Sequence, residues 1–134
     1  AGDREQVLVD ALVRLRRLAK PGALIFLISD FHALGEHASS ELARLAAHTD
    51  VAMIAVYDPL EANFPEFDRA SSIADRNRTL RLPAIAVDQR SRYAERFDQH
   101  LDNLKRLARD QRMLFTATDT VTDPVSALLR LLGA

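Results

Sequence analysis

Residues 23–31 read ALIFLISDF, and Pro21-Gly22 stands directly before them. Six apolar residues, Ala23 to Ile28, lead to Ser29 and then to the carboxylate of Asp30. A short apolar run between turn signals suits a strand buried on both faces, the kind found in parallel sheets. The pattern recurs twice. Residues 51–57 (VAMIAVY) end at Asp58, with Pro59 as a stop, and residues 113–118 (MLFTAT) end at Asp119. In open α/β sheets ligands sit in the crevice beyond the carboxyl ends of the strands. The expected site is therefore the rim that carries these three carboxylates.

Helical patterns fill the intervals. Asp3 and Gln6 have capping-box spacing, and Leu8, Ala11, Leu12, Leu15, Leu18 and Ala19 share one helical face. Arg14, Arg16 and Arg17 fall on the other side, which reads as a solvated face. A second helix is expected over 36–47, with Ala38, Leu42, Leu45 and Ala46 inward. Asp88 is placed to cap a third over 89–111, whose stripe of Tyr93, Phe97, Leu101, Leu104 and Ala108 is the clearest amphipathic pattern in the chain. A closing helix starts at Asp123-Pro124, a cap followed by proline at the first helical position, and Gly133 follows it. Residues 70–74 and 79–82 read as two short strands about a polar turn. Strands alternating with helices imply one α/β domain: a Rossmann-like, three-layer parallel sheet of three core strands with flanking helices plus a small β-hairpin.

Composition narrows the function. The chain has 134 residues, a net charge of -1 and no cysteine. That balance gives no electrostatic case for nucleic acid. Without cysteine there is no disulfide, thiolate nucleophile or Cys-based zinc site, which fits the cytoplasm. The sequence contains no P-loop, G-x-G-x-x-G or G-x-S-x-G motif. Clustered carboxylates suggest a hard cation such as Mg²⁺. The ordinary reading of an Asp just after a strand is different: it caps the next helix or closes an Asx turn. His32 has no partner at metal-ligand spacing except His37, which is too irregularly placed to count, and His100 lies beside the apolar stripe of the third helix.

Three stretches together carry a resemblance. Residues 24–31 (LIFLISDF) resemble the fourth-strand signature of von Willebrand factor A-like domains, where an apolar strand ends in Thr-Asp-Gly or Ser-Asp. Residues 48–61 (HTDVAMIAVYDPLE) and 92–132 are similar to the following strand and the final helix, strand and helix of one bacterial branch, the domain of unknown function 58 family. That likeness implies a longer parent protein with membrane helices, a von Willebrand factor A-like fold, and a metal-ion-dependent adhesion site. Of that site only the Asp after the fourth strand carries over, onto Asp30. The Asp-x-Ser-x-Ser ligands are absent from this sequence, and Ser39-Ser40 and Ser71-Ser72 do not supply them. Residues 1–134 are accordingly expected to be a single partial domain, strands four to six of the parent fold.

The resemblance implies a non-enzymatic protein-interaction module working with a MoxR-type AAA+ ATPase. No cofactor is expected in this chain, and Mg²⁺ belongs to the longer parent. The binding rim is expected to comprise Ser29, Asp30, His32, Asp58, Glu61 and Asp119, with Asp30 as a partial metal ligand and no catalytic residue. The alternative is a small metal-dependent hydrolase using Asp30, Asp58 and Asp119. In the resembled fold strand four lies beside strand one, so the edge of the first strand here is expected to be unpaired. That edge, or a helix covering it, is expected to drive homo-oligomerisation.

Overall fold

The computed structural model describes residues 2–60 and 83–133, with only the backbone described for 83–90. Its elements run α1 (Gly2–Leu18), β1 (Leu24–Ser29), α2 (Glu36–Ala46), β2 (Asp50–Tyr57), α3 (Pro83–Asp110), β3 (Leu114–Asp119) and α4 (Pro124–Leu131). The three strands form a parallel sheet in the order β1-β2-β3. The α/β class, the parallel sheet and the three strands agree with the sequence reading. The expected hairpin over 70–74 and 79–82 lies outside the described residues, as does Glu61.

Each face of the sheet carries its own cluster. On one face Val51, Met53 and Ala55 of β2 meet Leu12 of α1, Ala38, Leu42 and Leu45 of α2, and Leu104 and Ala108 of α3. Ile25 and Leu27 of β1 pack against this cluster. On the other face Ala52 and Ile54 meet Leu131 of α4, with Val56 beside them. Because side chains alternate along a strand, β1 turns Leu24, Phe26 and Ile28 to the second face. They are 51%, 41% and 67% exposed there. Only the middle strand matches the expectation of burial on both faces.

Local chemistry explains where the elements start and stop. Gly22 adopts a φ of 83°, and its N–H donates to the His48 carbonyl at 2.9 Å, tying the entry of β1 to the entry of β2. Gly35 is the N-cap of α2 but has no side chain to cap with. Glu5 of α1 supplies the missing acceptor, taking the Ala38 N–H at 3.3 Å. A Cβ on Gly35 would collide with that carboxylate. Asp123 caps α4 as its sequence predicts, accepting from Val125 N at 3.1 Å, and Gly133 follows with a φ of 76°.

Three sequence expectations are corrected. Helix α1 already includes Asp3, and Gln6 donates its side-chain amide to Asp10 at 2.9 Å instead of closing a capping box. Arg14, Arg16 and Arg17 are exposed, as a solvated face requires, and Arg16 lies 3.4 Å from Glu41 of α2, which Arg44 approaches at 3.1 Å. Helix α3 starts at Pro83, so Asp88 is interior and not its cap. Proline at a helix start is tolerated because its missing N–H would have no partner there. Leu18, expected to face inward, is 74% exposed at the end of α1.

Candidate functional site

Parallel pairing brings the three strand-end carboxylates to one rim. Ser29 pairs with Ala55, and Tyr57 pairs with Asp119. Asp58 and Asp119 therefore end their strands almost level. Asp30 follows two residues short of Asp58 along the register, which is about 7 Å at the rise of a strand.

Each carboxylate is engaged with its own loop. Asp30 Oδ1 accepts from His32 N at 2.9 Å, and Asp58 Oδ1 accepts from Leu60 N at 2.9 Å. Asp119 Oδ1 accepts from Thr122 N at 2.6 Å and from Val121 N at 3.0 Å. These are Asx turns, the ordinary use of an Asp after a strand. The Thr122 side chain, more than the backbone N–H groups of Thr122 and Val121, holds the Asp119 carboxyl below its ordinary 3.8, against a smaller upward push from desolvation. Ser29 joins the same turn chemistry, its Oγ accepting from Phe31 N at 3.0 Å.

Asp30 does not fit a divalent-cation site on its own. Mg²⁺ is held by carboxylates that converge, with water completing the shell. Among the described residues no group of three His, Cys, Asp or Glu side chains converges on one point. The turn is nonetheless sharply formed. Phe31 has a φ of 59°, a left-handed conformation uncommon for a bulky residue, while its side chain is buried in the main cluster.

The structure adds a neighbour that sequence spacing did not reveal. Helix α3 rises past the rim and lays His100 against the turn. His100 Nε2 donates to the Asp30 carbonyl at 2.8 Å. Its ring stacks on His32, with centroids 4.3 Å apart and planes 15° from parallel. Phe97, one turn earlier, meets Tyr57 edge-on at 4.9 Å. Tyr93, Arg96, Phe97 and His100 of α3 join His32 in lining a cleft of about 280 Å³. The amphipathic stripe of α3 thus has two uses: Leu104 and Ala108 are core, whereas Tyr93 and Phe97 line the cleft. The available signal was compositional. The core end of the stripe is Leu and Ala; the rim end is aromatic, with Arg96 and His100 one turn apart beside it.

Of the expected rim residues, Ser29, Asp30 and His32 come together in one turn. Asp58 and Asp119 end the neighbouring strands of the same rim, and Glu61 lies outside the described residues. The model of the family described as "Protein of unknown function DUF58" matches residues 2–103. No curated protein and no solved structure matches the chain.

Proposed function

This chain belongs to the DUF58 family, and from that membership we propose that it is a non-enzymatic protein-interaction module, the C-terminal half of a von Willebrand factor A-like domain. Its partner in this reading is a MoxR-type AAA+ ATPase. The observation that carries the proposal is the rim itself. Three parallel strands present Ser29-Asp30, Asp58 and Asp119 at one edge. The turn after Asp30 is left-handed at Phe31, the conformation that Gly supplies in a Thr-Asp-Gly ending. Two arguments favour binding over the hydrolase alternative. All three carboxylates accept backbone N–H bonds in their own turns. Catalysis by a carboxylate pair or a metal needs those groups directed at a shared reacting atom.

The test uses the longer parent and a purified MoxR-type ATPase encoded beside it. Saturable binding without turnover of a phosphoester is the expected result. Turnover of p-nitrophenyl phosphate that is lost in Asp30→Ala would move the assignment to the hydrolase. The present 134-residue chain is expected to show no micromolar Mg²⁺ affinity by calorimetry, because one carboxylate leaves nearly the whole coordination shell to water.

A further inference from the structure

Helix α4 is apolar on two sides. Ala127 and Leu131 are buried, and Leu131 packs on Ala52 and Ile54 of β2. Val125, Leu128, Leu129 and Leu132 have the spacing of a single helical stripe, the last at the C-cap, and are between 38% and 58% exposed. The direction of that stripe follows from Arg130, whose guanidinium donates to the Ala117 carbonyl of β3 at 3.3 Å. Thr120 turns its N–H to Tyr57 of β2, and main-chain groups alternate along a strand, so the Ala117 carbonyl points to the outer edge of β3. At about 100° per residue, Leu128 and Leu132 stand roughly 160° around the helix from Arg130. The stripe therefore looks away from β3, toward β1.

Beside α4 lies a place for one more helix. Packed helices are about 10 Å apart and strands about 4.8 Å, so the next helix of this layer falls two strands over, on β1. The exposed side chains of Leu24, Phe26 and Ile28 form the floor there. Leu24 to Ile28 spans about 13 Å at the rise of a strand, and the eight residues of α4 span about 12 Å. At roughly 200 Å² for a whole large apolar residue, the exposed fractions of these β1 and α4 side chains amount to something on the order of 700 Å². The largest apolar patch of a typical monomer is about 300–600 Å², and one side of a standard interface buries about 800 Å². The face has the extent of an interface.

We propose that a second copy of this chain covers the face by laying its own α4 on β1, beside the α4 already there. A two-fold axis running between the two helices makes the contact reciprocal, with both helices held between two sheets. Leu128, on the flank of α4, meets its own counterpart. Val125, Leu129 and Leu132 of each copy descend on Leu24, Phe26 and Ile28 of the other. An isologous dimer needs one surface that is complementary to itself, and this face carries both an apolar ridge and a trough of the same length. The contact uses the face of β1 and leaves the main-chain groups of the strand's edge as a separate surface.

The chain has no cysteine, so introduced cysteines report the contact. Phe26→Cys and Leu129→Cys are purified separately, one with a mass tag, then mixed at micromolar concentration and oxidised mildly. A disulfide joining the two variants is expected, in excess of that between Leu129→Cys and the control Val7→Cys, which is exposed on α1. Sedimentation gives an independent reading. Leu129 is 48% exposed and lies outside both buried clusters, so Leu129→Arg should leave the circular dichroism spectrum unchanged and weaken self-association about tenfold. A mixed disulfide no more abundant than the Val7→Cys control, a monomeric wild type, or association indifferent to Leu129→Arg would each overturn the proposal.

Discussion

Among the described residues Asp119 serves two backbone N–H groups where Asp30 and Asp58 serve one each. Its carboxyl is held below its ordinary value, chiefly by the Thr122 side chain. A carboxyl with a depressed folded pKa stabilises the fold fully above its unfolded pKa. That contribution is lost as pH falls through the folded value. The window lies in the acid range below 3.8, so nothing should change at neutral pH. A carbon-detected NMR titration should place the Asp119 midpoint below 3.8, and Thr122→Val should raise it. An unmoved midpoint in Thr122→Val would show that the backbone amides, not the hydroxyl, dominate. The adjacent turns show what spacing alone conveys. That each Asp closes its own loop follows from its place after a strand, and the ordinary reading of such residues is what the structure contains.

Helices α1 and α2 are joined by two side chains that cross between them. Glu5 accepts the Ala38 N–H at the start of α2, and Arg16 reaches Glu41 in its middle. Glu5 has room only because Gly35 lacks a Cβ, and the obstacle for any larger residue is the flexible end of Glu5. Gly35→Ala should therefore displace the carboxylate and cost what a lost helix cap costs, about 1 kcal/mol. Glu5→Gln should cost a similar or smaller amount. Because both changes act on one contact, the double variant should cost less than the sum when unfolding midpoints in urea are compared. Additive costs would mean that Gly35 matters for its backbone and not for Glu5. Elements of this kind mark the limit of legibility. The strands, α2 and the α4 cap were readable because each depends on neighbours in sequence. The Glu5 cap spans 33 residues, and the His32–His100 stack joins two elements whose meeting depends on the packed sheet. The start of α3 was misread because Asp88 satisfied a local capping rule, while the helix continues back to Pro83.

At the scale of the molecule, the two faces of the sheet are unequal. Helices α1, α2 and α3 supply the cluster on one face, whereas on the other α4 supplies Leu131 against β2. Leu24, Phe26 and Ile28 of β1 stay exposed there, and Leu129 and Leu132 of α4 are 48% and 58% exposed. β1 is also an edge of the described sheet, with β2 on one side only. Natural edge strands are usually protected by Lys, Pro, a bulge or an inward charge, and residues 24–28 have none of these side chains. Helix α1 is occupied elsewhere, its Leu12 buried in the main cluster with Leu42 and Leu45 of α2. An unprotected edge beside an apolar face favours pairing with a second copy, strand to strand, which would cover Phe26 and Ile28 as well. Sedimentation at micromolar concentration should therefore find a dimer or larger species. Phe26→Lys is the informative variant: the side chain is 41% exposed, so the charge disturbs the uncovered face and leaves Ile25 and Leu27 in place on the core side. It should shift the population to monomer with an unchanged circular dichroism spectrum. A wild type that sediments as a monomer at these concentrations would overturn the prediction. An oligomer indifferent to Phe26→Lys would place the interface elsewhere than on β1.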